Sequence, residues 1–296
     1  MKKSLIALII AVLLCGSQID VSNLAGQFGF RGLMPYKVAT AAIQVTVDNE
    51  EDLINELYTG LLNRENEIIV DYSIPGYKIN MDELYRKIIA INDKKNPKDS
   101  DYLAYSVKGW NVLVMSDSMS TTLDLTPVYK TSLKDEIILD VKVKSVLKEL
   151  KLEKASQEQK VKAIHDYIIN RVSYDSSLQK SSAYDAMMDR SAVCEGYSML
   201  AYRMFTEAGL ESRIISGTGD GVAHAWNIVK VSGKWYNIDL TWDDPVSAEG
   251  EPVLTYDYYL KSTKDFKDHK RDAKYKTEKF VKAYPISKIS YPLGDE

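Results

Sequence analysis

Among the side chains able to act as nucleophile or base, this 296-residue sequence holds two cysteines, Cys15 and Cys194, and three histidines, His165, His224 and His269. Cys15 lies at the end of an apolar N-terminal run, so Cys194 is the thiol that a folded chain would present. A cysteine attacks as its thiolate, which a helix N-terminus or a nearby cation stabilises. Cys194 opens a segment whose apolar residues Tyr197, Leu200, Ala201, Met204, Phe205 and Ala208 recur at helical spacing. It therefore stands in the first turn, where free N–H groups and the helix dipole favour negative charge. Gly196, just inside, carries no side chain to obstruct an approaching substrate.

A thiolate also needs a base. His224 follows the run Gly217-Thr218-Gly219-Asp220-Gly221, which reads as a loop, and begins a strand that turns back at Ser232-Gly233. A two-residue turn pairs Val231 with Lys234, setting Trp226 opposite Asp239 and His224 opposite Thr241. His224 and Asp239 then share one face as diagonal neighbours, their β-carbons roughly 5–8 Å apart. Asp239 also interrupts the apolar strand from Tyr236 to Leu240, and a buried carboxylate needs a partner. Cysteine, histidine and aspartate so placed follow the logic of a nucleophile, its base and the group that orients the base. The other histidines read more plainly: His165 as a packing residue on a helix, His269 as a surface or loop residue in the charged run Lys267 to Arg271. Asp243 and Asp244, before Pro245, read as the end of a strand. No metal-ligand spacing occurs, so no cofactor or metal is expected.

Three segments resemble the bacterial transglutaminase-like superfamily. Ser191-Ala192-Val193-Cys194-Glu195-Gly196-Tyr197 is similar to its cysteine motif and Gly221-Val222-Ala223-His224-Ala225-Trp226-Asn227 to its histidine motif. The run from Lys234 to Pro245, with Asp239 within it, resembles the aspartate motif. Ala163 to Tyr167 and Ala183 to Ala186 also look like family features, and the likeness spans about residues 131–270. It implies a papain-like α+β fold in which the cysteine helix packs on an antiparallel sheet carrying His224 and Asp239. It implies thiolate attack on an amide carbonyl, loss of ammonia or an amine, and a thioester resolved by water or an amine. The Cys194 N–H would be one oxyanion donor, with Tyr184 or Trp226 as candidates for the second. No calcium requirement is expected.

Around these motifs the chain divides in two. Helical spacing at Glu50–Leu62, a strand at Glu67–Asp71, a capped helix from Asn80, and alternation over Tyr102–Met115 and Thr122–Val128 suggest a small α+β accessory domain at 43–130. Helices from Leu133 to Leu150 and from Ser156 to about Asn170, then strands at Ser212–Ser216, Ala223–Val231, Lys234–Trp242 and Leu254–Lys261, make residues 131–296 the candidate catalytic domain. Before both, Lys2 and Lys3, the apolar stretch Leu5–Leu14, and Gly16 and Ser17 form a secretory leader over 1–17. Ala39-Thr40-Ala41 offers a later cleavage point. Cys15 invites lipidation, but Leu14 stands where a small residue is wanted, so secretion or cell-surface association without a lipid is expected. No membrane span is expected after leader removal.

The net charge of −4, and −6 without the leader lysines, removes the electrostatic case for nucleic acid or an anionic membrane. The expected partner is a protein or peptide substrate, with cell-wall peptide one candidate. The competing reading is a non-catalytic binding module on the same fold.

Overall fold

The computed structural model describes residues 45–74, 77–95, 100–117, 120–245 and 253–292, with backbone alone at 91–95 and 100. The leader at 1–17, Cys15 and Ala39 to Ala41 lie outside the described residues. Two four-stranded sheets organise the chain.

The first sheet has the order β1-β2-β4-β3, from β1 (Val45–Val47), β2 (Ile68–Tyr72), β3 (Val107–Ser116) and β4 (Thr121–Tyr129). Burial alternates along β2 at Ile68, Val70 and Tyr72, as a half-covered strand requires. Helices α1 (Glu50–Leu62) and α2 (Met81–Lys95) close that face, placing Leu53, Leu57, Leu61, Leu84 and Ile88 in one apolar cluster with Leu123 and Leu125.

The second sheet has the order β10-β7-β8-β9, from β7 (Ser212–Gly219), β8 (Val222–Val231), β9 (Lys234–Ile238) and the short β10 (His269–Arg271), all antiparallel. Helices α4 (Leu133–Glu149), α5 (Gln157–Ile169) and α6 (Cys194–Glu207) build the main core against it. Serine capping boxes start α4 and α5. Leu200, Ala201, Met204 and Phe205 of α6 share the core with Ile214, Val229, Val231 and Ile238 of the sheet. On the opposite face Ile215, Trp226, Ile228 and Trp235 pack with Phe266 and Tyr275 from the C-terminal segment.

Several elements differ from the sequence expectation. Residues Ser100–Ser106 form a helix, α3, where alternation predicts a strand. Leu103 and Ser106 are buried together with Tyr102, a helical spacing, and Asp101 and Tyr102 are drawn into the main core by Arg213 and Glu136. β7 runs on through Gly217 and Gly219 because β10 pairs with it there. Only Asp220 and Gly221, both at positive φ, make the turn. β9 stops at Ile238 rather than Trp242, since the Asp239 carboxylate accepts the N–H groups of Thr241 and Trp242 and bends the chain. Residues 254–261 make turns, with one bridge between Asn237 and Lys261 in place of a strand.

Candidate active site

Cys194 is the first residue of α6. Its N-cap, Val193, is extended and supplies no side-chain cap, so the first-turn N–H groups are left to solvate a thiolate. The neighbouring Glu195 pairs with Lys130 at 2.6 Å, and Lys130 also donates to the Ser181 carbonyl. Burial pulls the Lys130 ammonium below its usual pKa, against the pull of Glu195. The start of the helix is thereby pinned to the residue that follows β4. Gly196 faces protein rather than a cleft, correcting the reading of it as room for substrate. A β-carbon there would lie 2.6 Å from the Ala192 β-carbon and 2.9 Å from the Ser182 carbonyl oxygen.

The β8–β9 hairpin has the expected register, with Val231 opposite Lys234 and Asn227 opposite Ile238. Ser232 and Gly233 both adopt positive φ, the two-residue turn that matches strand twist. His224 and Asp239 meet at the end of this hairpin, His224 Nε2 lying 2.6 Å from Asp239 Oδ2. Cys194 is the other hydrogen-bond partner of the His224 ring. With Nε2 on the carboxylate, Nδ1 is the nitrogen left for sulfur. Burial opposes a charge on His224, but the hydrogen bonds its ring makes to Asp239 and Cys194 outweigh it and push the pKa up to about 10. The ring is thus poised as an imidazolium beside the Cys194 sulfur.

Asp239 is buried, which raises the cost of its charge, yet two imidazoles hold its carboxyl below the ordinary range. The second imidazole is His269, whose Nε2 lies 2.9 Å from the same Oδ2 atom. The surface or loop position expected for His269 is therefore corrected. β10 carries the ring inward, where it stacks on Phe266 at 3.9 Å and lies against Trp242 at 4.4 Å. The charged neighbours Lys267, Asp268 and Lys270 conceal this position in the sequence. Gly219 lets the site close: a β-carbon there would come within 2.7 Å of the Trp242 ring and 3.1 Å of His224 Cδ2.

His224, Asp239 and His269 place one ligand-type atom each within 4.8 Å of one another, so they are the described residues that could hold a metal ion. As arranged, both Nε2 atoms are spent on one carboxylate oxygen.

His165 does more than pack. Fully buried on α5, it bonds Asp166 through Nδ1 and Asp243 through Nε2, both at 3.0 Å. Asp243, expected merely to end a strand, also accepts from the Tyr258 N–H and the Thr255 hydroxyl. These bonds fix the turn that carries Asp239. Asp244 accepts the Tyr197 hydroxyl at 2.6 Å, and burial pushes its pKa up to about 6.

Of the oxyanion candidates, Tyr184 packs on the main core, and its charged neighbours are Asp135, Asp189 and Asp185 rather than Cys194. Trp226 is buried in the aromatic cluster behind the sheet, its ring 6.1 Å from His224. The phenol beside the thiol is Tyr174, on the two-residue strand β5 (Ser173–Tyr174), which pairs with β6 (Ser191–Ala192) just before Cys194. Burial and the charge of Cys194 both raise its pKa.

A thiol at a helix start thus faces an imidazole–carboxylate pair at the end of an antiparallel hairpin, within a mixed α+β core. Residues 144–240 match the core of the transglutaminase-like superfamily. The chain is similar to the kyphoscoliosis peptidases of Mus musculus (30% identical over 34% of this chain and 19% of that protein) and Homo sapiens (28% identical over 28% and 15%). The chain thus spans less than a fifth of the length of these relatives. A solved structure of a TGase is 21% identical, covers 67% of this chain and 59% of its own, and has a TM-score of 0.34. Among the described residues no helix is long and apolar enough to cross a membrane.

Proposed function

We propose that the protein is an exported thiol enzyme that attacks protein or peptide amides through Cys194, His224 and Asp239. The supporting observation is the single His224 ring held between the Cys194 thiol and the Asp239 carboxylate. The thiolate adds to the amide carbonyl carbon, and the resulting oxyanion is met by the N–H of Cys194 and the Tyr174 hydroxyl. As the carbon–nitrogen bond breaks, the His224 imidazolium gives its proton to the departing amine, leaving a thioester. His224 then takes a proton from water or an acceptor amine. That nucleophile attacks the thioester carbon, the carbon–sulfur bond breaks and the thiolate returns. Asp239 keeps its charge throughout and orients the ring.

The peptidase name of the two curated relatives favours water as the acceptor. The leader-like N-terminus supports export, and residues 43–130 serve as an accessory unit to the catalytic domain at 131–296. The test is incubation of the mature protein with a glutamine-containing peptide, with and without a primary amine, read by mass spectrometry. Cleavage or deamidation is the expected product, and amine incorporation would identify a transferase. Unchanged products from Cys194→Ala would sink the catalytic reading.

A further inference from the structure

Behind the second sheet lies a cavity of about 550 Å³ that includes neither Cys194 nor His224 among its lining residues. Trp226, Phe266, Tyr284 and Ile286 give it apolar walls. Lys270, Arg271 and Lys276 also line it, with no Asp or Glu among the described lining residues.

Arg271 is the unusual member. It follows His269 by two residues on β10, so both side chains lie on the sheet face that the cavity occupies. Its Nη2 donates to Asn237 Oδ1 at 2.8 Å, and no carboxylate pairs with it among the described residues. Burial draws its pKa down from the usual value, with only the Tyr275 phenol pulling the other way. Arg271 is half-buried; a guanidinium partly withdrawn from water without a counter-charge is unfavourable, and a planar carboxylate matches its remaining N–H groups two at a time.

We propose that this cavity is a binding site for a small carboxylate with an aromatic or branched apolar body, held by Arg271. The carboxylate supplies the missing charge and the body fills the space between Trp226, Phe266 and Tyr284. Lys270 and Lys276, both exposed, add attraction at the rim. His269 lines the same cavity, so an occupant lies against the ring that holds Asp239. The site makes no use of the thiol and stands independently of the reaction proposed above.

The experiment is calorimetric titration of the full-length mature protein with 3-phenylpropanoate and with its neutral isostere 3-phenylpropanamide. The acid should bind at least about tenfold more tightly than the amide, the ratio expected for a charge-assisted pair. In Arg271→Gln that preference should collapse to within about threefold, whereas Lys276→Gln should retain most of it. Equal affinity of acid and amide for the wild-type protein, or no binding of either, would overturn the proposal. That comparison needs no variant, so it decides the matter even where Arg271→Gln fails to fold. A preference that survives intact in a folded Arg271→Gln would overturn it as well.

Discussion

Asp239 spends one oxygen on two imidazoles and the other on two backbone N–H groups, so each loss at this residue has a readable cost. His269→Phe keeps a ring to stack on Phe266 but removes the donor to a buried carboxylate. Urea denaturation at pH 7 should show a loss of about 1.5–3 kcal/mol. His224 carries a pH signature. Its folded pKa lies near 10 against an ordinary 6.5, so its contribution to stability is complete below pH 6.5 and disappears as pH rises through about 10. The stability difference between wild type and His224→Gln should therefore shrink across that window. In Cys194→Ala, where one support of the imidazolium is gone, the NMR titration midpoint of His224 should fall below the wild-type value. The meeting of Cys194, His224 and Asp239 was legible because residue type, helix start and hairpin register each narrowed the choice. His269 was not, because its partner is 30 residues away and its neighbours are charged. Tyr174 was equally hidden, since a two-residue parallel pairing leaves no periodic trace.

At the scale of elements, what sets the position of Cys194 is the seating of α6. Ala192 and the Ser182 carbonyl approach Gly196 so closely that Gly196→Ala must shift the helix start or its neighbours. A destabilisation of about 1–3 kcal/mol is expected from such overpacking. The same variant should label more slowly with a thiol reagent near neutral pH, because Cys194 moves relative to His224. A purely structural effect would lower the denaturation midpoint and leave labelling of the folded protein unchanged. The long helices were readable from capping boxes and apolar periodicity, unlike α3: α1 has the expected limits, and α5 ends within a residue of expectation. Strand ends were less readable. β9 is cut short by a side chain binding its own downstream backbone, and β7 is lengthened by a partner strand some fifty residues later. Neither event shows in local alternation.

Across the whole molecule, the two sheets meet through α3 rather than through a bare linker. Asp101 accepts two guanidinium nitrogens of Arg213, at 2.7 and 2.6 Å, together with the N–H of Ile214. Tyr284 takes a further bond from the same guanidinium. Because this pair is largely buried, Asp101→Ala leaves a cation without its partner and should cost about 3–5 kcal/mol, seen as a lower urea midpoint. Tyr102 enters the main core, and Lys130 braces the residue next to Cys194. Asp101, Tyr102 and Lys130 therefore tie the first sheet's side of the molecule directly to the helices and sheet that carry Cys194 and His224. Composition suggested a boundary near 130 but gave no sign of these ties, the widest of which joins residues 113 positions apart.

The β8–β9 hairpin also sets a rule of parity. His224 and Asp239 stand 15 residues apart and meet only because a two-residue turn leaves both on one face. Insertion or loss of a single residue between them would send one to each side of the sheet, while a change of two would restore the pair one step along. Length variation here is thus counted in steps of two, so the site can be kept or lost by such changes but not gradually detuned.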